Sequence, residues 1–262
     1  MNPGLAGAGI LVTRPAEQSV HLARLIRDAG GEPILFPALE IEPVANTAIA
    51  AFVSQLSRFD LVVFVSPNAA RLAMPYILDN GGPFAGAKFA AVGPGTAAEL
   101  KKSGVRNIIS PKTGFDSEAL IGELSTMPLD GGRVLIVRGL GGRELLGENL
   151  RARGAAVEYL ECYRRVRPAR DMGELISRSG RGGMKACLAT SSNIVESLFE
   201  MAGATGRAWL CGIPFFVPHS RVAGVAFFRG VQAVFVAGNG DEALVAGMQT
   251  WFARLRVSPT AL

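Results

Sequence analysis

Ile10-Leu-Val-Thr13-Arg14-Pro15 and Leu135-Ile-Val137-Arg138-Gly139 decide the fold between them, because one repeats the other at an offset of 124 residues. Each is a strand-like apolar run followed by a helical stretch and a glycine turn (Ala29-Gly30-Gly31, then Arg153-Gly154-Ala155) and a second strand-like run. Working outward, Val65-Ser66-Pro67-Asn68 recurs as Thr190-Ser191-Ser192-Asn193 at an offset of 125, and Glu118-Ala-Leu120 recurs as Glu242-Ala-Leu244 at 124. Matches that keep one register predict a duplicated unit of about 125 residues, hence two similar lobes.

Within each unit, β character alternates with helical spacing. Strands are expected at Ile10–Thr13, Pro33–Ile41, Asp60–Val65, Lys88–Val92, Asn107–Ile109, Arg133–Val137, Val157–Val166, Lys185–Ala189, Pro214–Val217 and Gln232–Val236. Between most of them lie 3.6-type patterns such as Leu22/Leu25/Ile26 and Leu145/Leu146/Leu150. The alternation predicts an α/β fold with parallel sheets flanked by helices. Pro33–Pro43 and Val157–Pro168 hold equivalent places in the repeat, and both are longer than a typical core strand of ~5–6 residues. Each ends in proline, which stops ladder pairing. They are expected to cross from one lobe to the other.

Composition narrows the class. With 262 residues, 49% hydrophobic and 19% charged, the chain can bury a real core and is not of the disordered class. No apolar run approaches the ~18 residues of a membrane span, and the start carries no basic-then-apolar leader pattern, so a cytoplasmic protein without a membrane partner is expected. Cys162, Cys187 and Cys211 are odd in number and scattered, which fits neither a disulfide framework nor a CxxC metal site. His21 reads as a helix-surface residue and His219 as a turn residue, so no metal is expected. The interleaved aromatics of an RNA-binding sheet are missing, so nucleic acid is not an expected partner.

The charge has a location. All of the net +5 falls between Arg133 and Arg181, where 11 Arg and no Lys face 6 acidic residues, and a concentrated positive field suggests an anionic partner. Thr13-Arg14, Ser66-Pro67, Gly93–Thr96, Arg138-Gly139, Ser191-Ser192 and His219-Ser220 all stand where a strand is expected to hand over to a helix. The unpaired amides and positive dipole end of a helix N-terminus bind anions. For any one turn, N-capping by Ser or Thr is explanation enough; six together, at the strand ends where α/β folds place ligands, point to a polyanion site. Gly93-Pro-Gly95-Thr-Ala-Ala98 has the form of a dinucleotide fingerprint. The ribose-binding acid it needs is absent from the end of the next strand, so a strand-to-helix turn with exposed amides is expected there. Tyr163, one of three tyrosines, lies in Glu161-Cys-Tyr163-Arg-Arg-Val166, in the Arg-dense stretch. A phenol keeps its proton at neutral pH and can donate it, although strand packing with a wet hydroxyl is the ordinary role of a lone Tyr.

Taken in order, these segments resemble the uroporphyrinogen-III synthase family over essentially the whole chain. The resemblance rests on Leu-Val-Thr13-Arg14-Pro, Phe64-Val-Ser66-Pro67-Asn-Ala, Ala91-Val-Gly93-Pro-Gly95-Thr96-Ala, Val137-Arg138-Gly-Leu-Gly-Gly142-Arg143-Glu, the Tyr163 segment, and Ala189-Thr-Ser191-Ser192. It implies a monomer of two flavodoxin-like lobes joined by a two-stranded ribbon, with the active site in the cleft between them. Residues 1–36 with 168–262 would form a discontinuous first lobe, 44–157 the second, and 37–43 with 158–167 the linker. It implies a cofactor-independent lyase of heme and porphyrin biosynthesis. Its substrate would be hydroxymethylbilane, a linear tetrapyrrole with eight carboxylates. Loss of the terminal hydroxyl as water gives an azafulvene, and attack by the last pyrrole through its substituted end forms a spirocycle that reopens with that ring inverted.

On the resemblance, Tyr163 matches the catalytic tyrosine that assists departure of the hydroxyl. Thr96 and Ser191 match polar cleft residues, with Ser66 the repeat equivalent of Ser191. Thr13, Arg14, Gly93, Arg138, Gly139 and Ser192 belong to the substrate-binding turns. The last family Thr falls at Ser220 or Arg221, of which Ser220 is taken. Two other classes fit parts of the sequence: a non-catalytic two-lobed binder of a polyanion, which gives Tyr163 no role, and a nucleotide-dependent enzyme using the Gly93–Ala98 turn.

Overall fold

Residues 4–44, 49, 53, 55–79, 86–114, 116–179 and 183–257 are described by the structure, a computed structural model. The chain divides into two compact units, Met1–Glu40 with Val166–Leu262, and Ile41–Arg165. The first unit is built on β1 (Gly9–Val12), β2 (Glu32–Leu35), β9 (Met184–Leu188), β10 (Phe215–Val217) and β11 (Val234–Val236). These form a parallel sheet in the order β11-β10-β9-β1-β2. In the second unit, β4 (Leu61–Phe64), β5 (Lys88–Ala91), β6 (Ile108–Ile109), β7 (Arg133–Gly139) and β8 (Ala156–Val166) lie in the order β8-β7-β4-β5-β6, again parallel, with β3 (Glu40–Pro43) added beside β8.

The two orders are one order. Read from β2 and from β8, each unit runs second, first, third, fourth, fifth strand of its repeat, the flavodoxin-like arrangement. The duplication seen in the sequence is therefore a duplication of a whole doubly wound sheet.

Strand alternation explains the layers. In β1, Ile10 and Val12 face a cluster with Leu22, Ile26 and Met248, while Leu11 faces the opposite cluster with Leu198 and Phe215. In β4, Val62 and Phe64 join Ala69, Met74 and Leu100, whereas Leu61 and Val63 join Leu120, Leu146 and Leu150. Successive side chains point to opposite faces, and a strand covered by helices on both faces is apolar throughout. Among the described residues the helices include α1 (Val20–Asp28), α2 (Pro67–Asp79), α3 (Pro94–Lys102), α4 (Ser117–Glu123), α5 (Leu145–Ala152), α6 (Gly173–Ser179), α7 (Ser192–Met201), α8 (Gly203–Gly212), α9 (Ser220–Phe228) and α10 (Asp241–Val257). None is long and apolar enough to cross a membrane among the described residues.

Two expectations are corrected. Pro33–Pro43 is not one long strand but two short ones, β2 and β3, in different sheets. The amides of Phe36 and Ala38 still donate to the carbonyls of Val12 and Thr13, but Pro37 between them has none to give. The segment then leaves β1, and Val44 donates to Cys162 in the other sheet (3.1 Å). Only Val157–Val166 is continuous, as the eleven-residue β8. Secondly, two of the six turns are not α-helix N-termini. Pro15 follows Thr13-Arg14 and opens a single 3-10 turn, Ala16–Gln18, before α1. Gly139 is still in β7, and five loop residues separate it from α5.

Thr13 shows what the first of these turns does instead. Its hydroxyl is fully buried and donates to the Leu188 carbonyl at 2.6 Å, tying the end of β1 to β9. Thr13→Val keeps the shape and strands that carbonyl. The expected loss is about 1–3 kcal/mol of unfolding free energy, read by urea denaturation; an unchanged midpoint would show the bond to be replaceable by water.

Candidate active site

Tyr163 owes its place to an irregularity. In the β7–β8 pairing Arg138 stands opposite Glu161 and Gly139 opposite Tyr163, so Cys162 is an extra residue in β8. A bulge of this kind re-aims the following side chain. Simple alternation would put Tyr163 on the same face as Tyr159 and Glu161, both half-buried. The bulge instead buries Cys162 and Tyr163 consecutively, in one cluster with Leu160, Phe64 and Ala69. Tyr163 is 1% exposed, so the wet hydroxyl of an ordinary strand tyrosine is not what forms. Burial also pushes the Cys162 thiol up to about 12, leaving it an unreactive neighbour.

Three of the sequence-derived residues meet at this phenol. Its hydroxyl lies 3.0 Å from Ser66 Oγ, and Ser66 Oγ accepts the Ala69 amide at 3.1 Å, capping α2. Gly139 is the floor beneath the ring: a Cβ there would stand 2.5 Å from Cε2 and Cζ of Tyr163 and 3.0 Å from its oxygen. The Leu140 amide donates to the Tyr163 carbonyl at 2.8 Å, fixing the backbone opposite that glycine. Arg165, which the sequence reading passed over, donates Nη2 to the Tyr163 hydroxyl at 3.5 Å, with its guanidinium carbon 5.8 Å from the ring centre.

The Gly93–Thr96 turn lies beside Ser66. Gly93 caps α3 in extended conformation, Pro94 occupies the first helical position, and a Cβ on Gly95 would touch Pro67 Cγ at 3.4 Å. Pro94 removes one amide that an anion could use. Thr96 is buried within the first turn of α3.

Arg138 is committed elsewhere. Its guanidinium stacks on Tyr159 at 3.8 Å, donates Nε and Nη2 to Glu161 (3.2 and 3.0 Å), and donates Nη1 to Glu144 at 2.6 Å and to the Gly142 carbonyl at 3.3 Å. Burial works against its charge, but the two carboxylates outweigh it and keep the guanidinium above its ordinary value. The Tyr159 hydroxyl donates to Glu144 at 2.7 Å; that bond, and next Arg138, hold the Glu144 carboxyl below its usual range. Burial, then the same bond, push the Tyr159 phenol up. Arg138 is thus the centre of an internal network, not a free carboxylate clamp. Neither Tyr159 nor Glu144 stood out in the sequence, where nothing marks two residues fifteen apart as partners of a strand arginine.

In the first unit, Arg14 is paired with Asp241 at the start of α10 (2.7 Å), and His21 Nδ1 lies 3.0 Å from the same carboxylate. Ser191 caps α7, accepting the Ile194 amide at 3.3 Å. The Ser192 hydroxyl oxygen is buried with no hydrogen-bond partner among the described residues. His219 rather than Ser220 is the N-cap of α9, without a side-chain bond to the helix, and Ser220 is exposed at its first position. Among the described residues no three His, Cys, Asp or Glu side chains gather as metal ligands.

Comparison with known proteins returns one family. Residues 20–246 match the model described as Uroporphyrinogen-III synthase HemD. The uroporphyrinogen-III synthase of Salmonella typhimurium is 32% identical over 246 residues, covering 92% of this chain and 99% of that protein. The Escherichia coli protein of the same name is 31% identical over 245 residues, with the same coverage. Among solved structures, a mutant uroporphyrinogen III synthase of Thermus thermophilus shares the fold (TM-score 0.64, 22% identity, 96% of this chain and 100% of that one). So does the Helicobacter pylori uroporphyrinogen-III synthetase (TM-score 0.57, 13% identity, 93% and 99%).

Proposed function

The chain belongs to the uroporphyrinogen-III synthase family, lyases of porphyrin biosynthesis, and from that premise we propose that it cyclises hydroxymethylbilane with loss of water and inversion of the last pyrrole ring. The proposal takes the phenol of Tyr163 as the source of the proton that leaves with the terminal hydroxyl. The helix N-terminal turns at Ser66, Gly93–Thr96, Ser191-Ser192 and Ser220 hold carboxylates of the substrate through backbone amides. Thr13, Arg14 and Arg138, whose side chains are already bonded within the protein, shape the strand ends that carry those turns. Gly139 serves Tyr163.

The observation that carries the reading is the buried Tyr163 hydroxyl 3.0 Å from Ser66. The phenol is walled from bulk water and its hydroxyl meets the N-terminus of α2, where developing negative charge is favoured. Ring inversion itself needs no further acid or base. It needs the chain held so that the substituted end of the last pyrrole, not the free end, meets the electrophile, and such positioning is worth large rate factors. The working protein is taken as a cytoplasmic monomer, with residues 1–36 and 168–262 as one lobe, 44–157 as the other, and 37–43 with 158–167 as the linker.

Incubation with hydroxymethylbilane and separation of the oxidised products by isomer is the test. The type III isomer is expected in excess over the type I isomer that forms without assistance. Type I alone, at the unassisted rate, would remove the proposal.

A further inference from the structure

Resting on the reading of Tyr163 as the source of the proton, we propose that Ser66 Oγ is the atom that hands it to the departing hydroxyl, with Tyr163 and Arg165 as positioning residues behind it. Among the described residues, the Tyr163 hydroxyl meets Ser66 Oγ at 3.0 Å and Arg165 Nη2 at 3.5 Å. A guanidinium cannot accept a hydrogen bond, so of these two partners only Ser66 Oγ can take the proton of Tyr163, and the relay is the orientation in which it does. In that orientation Ser66 Oγ accepts twice, from Tyr163 at 3.0 Å and from the Ala69 amide at 3.1 Å. Both of its lone pairs are used, and its own proton is left to point away from the protein partners. Tyr163 is 1% exposed whereas Ser66 is half-buried. The outward end of the pair is therefore the serine.

With Tyr163 donating to Ser66, the chain Arg165, Tyr163, Ser66 runs one way. Each member donates to the next, which strengthens the last donor, and the N-terminus of the thirteen-residue α2 favours negative charge on Ser66 as its proton leaves. In the step itself the C–O bond of the substrate breaks with its electron pair on oxygen. Ser66 supplies its proton and water departs. Ser66 Oγ takes the proton of Tyr163, and the phenolate is held by the Arg165 guanidinium. The substrate is left as an azafulvenium cation. The substituted carbon of the last pyrrole bonds to it as a spirocycle, and the bond from that carbon to the neighbouring bridge breaks. The freed bridge cation bonds to the free end of the ring, and the proton that this end sheds to regain aromaticity returns through Ser66 to Tyr163. The sum is loss of one water with the protein restored.

Ser66→Ala, Tyr163→Phe and the double variant are compared in steady-state turnover of hydroxymethylbilane, with thermal melts to confirm folding. Two groups acting as one relay lose their effect together. Both single variants are expected to lose kcat by a similar factor, about 10²–10⁴, with little change in KM, and the double variant to fall no further than about threefold below either. Ser66→Thr, which keeps the hydroxyl, recovers most of the rate lost in Ser66→Ala. Should loss of the cap prevent Ser66→Ala from folding, Ser66→Asp, which caps α2 without a proton to give, reads the same question in kcat. A wild-type kcat in Ser66→Ala or Ser66→Asp with an impaired Tyr163→Phe overturns the relay and leaves Tyr163 acting directly. Multiplicative losses in the double variant overturn it as well. A wild-type kcat in Tyr163→Phe removes instead the reading on which the relay rests.

Discussion

Tyr163→Phe is expected to lower kcat by ~10²–10⁴-fold, the usual worth of a positioned proton donor, while KM moves little and the residual product remains mostly the type III isomer. The substitution is clean because the ring does the packing and the oxygen does the chemistry. The ring fills the space over Gly139 and joins the cluster of Phe64, Ala69 and Leu160, and phenylalanine fills it equally. What is lost is the bond to Ser66 and the contact with Arg165, worth about 1 kcal/mol of stability for an ordinary hydrogen bond. An interaction that matters only as the leaving oxygen gains charge appears in kcat and not in ground-state binding. Isomer choice depends on how the tetrapyrrole is folded when the electrophile forms, and no part of the phenol oxygen is assigned to that. Turnover and the type III to type I ratio are measured on the same samples. A switch to type I product would make Tyr163 a group that folds the substrate, and an unchanged kcat would take it out of the mechanism.

How far the sequence could be read is itself a physical matter. The register of the repeat carried the architecture, because β1 and β7, β9 and β4, and β10 and β5 keep both their spacing and their place in the sheet. Strand-to-helix turns were legible where a single Ser or Gly sits at the junction, as at Ser66, Gly93 and Ser191. They were misread at Thr13-Arg14 and Arg138-Gly139, where the residue types are the same but a 3-10 turn or a loop intervenes. Nothing local distinguishes those cases: the helix start is set further along the chain, at Ser19 and Glu144. Tyr163 was singled out in the sequence, with a wet hydroxyl as the ordinary role of such a residue, and the structure buries it. Period-two alternation is the only sequence signal for which face a strand residue takes, and one extra residue at Cys162 reverses it. The Arg-rich stretch promised free cations, yet Arg138 has Glu144 and Glu161, and Arg133 has Glu158. A count of charges does not say which of them are already paired.

Gly139→Ala is expected to cost activity as severely as removing the phenol oxygen, from a residue that carries no chemistry. Gly139 lies at the end of β7 with no left-handed torsion to protect, so the backbone alone would accept alanine. The obstacle is the ring: the new methyl would stand 2.5 Å from two of its carbons and 3.0 Å from its oxygen, well inside van der Waals contact. Something must move. The backbone on the far side of Gly139 is held by the Leu140 amide on the Tyr163 carbonyl, and the ring is packed among buried residues on its other side. Such overpacking typically costs ~1–3 kcal/mol, and a ring displaced by even an ångström no longer reaches Ser66 at hydrogen-bonding distance. The kcat of Gly139→Ala should therefore fall to the level of Tyr163→Phe or below, with melts showing the protein folded but destabilised. A second variant separates steric displacement from general damage to the strand. In Tyr163→Leu the side chain no longer reaches the space over Gly139, so adding Gly139→Ala to it should cost much less stability than adding it to the wild type, a coupling of the size seen between residues in contact, about 0.5–3 kcal/mol. Equal costs in the two backgrounds would mean that the glycine is needed by β7 itself, and a wild-type kcat in Gly139→Ala would mean that the phenol can leave its seat without consequence for the reaction.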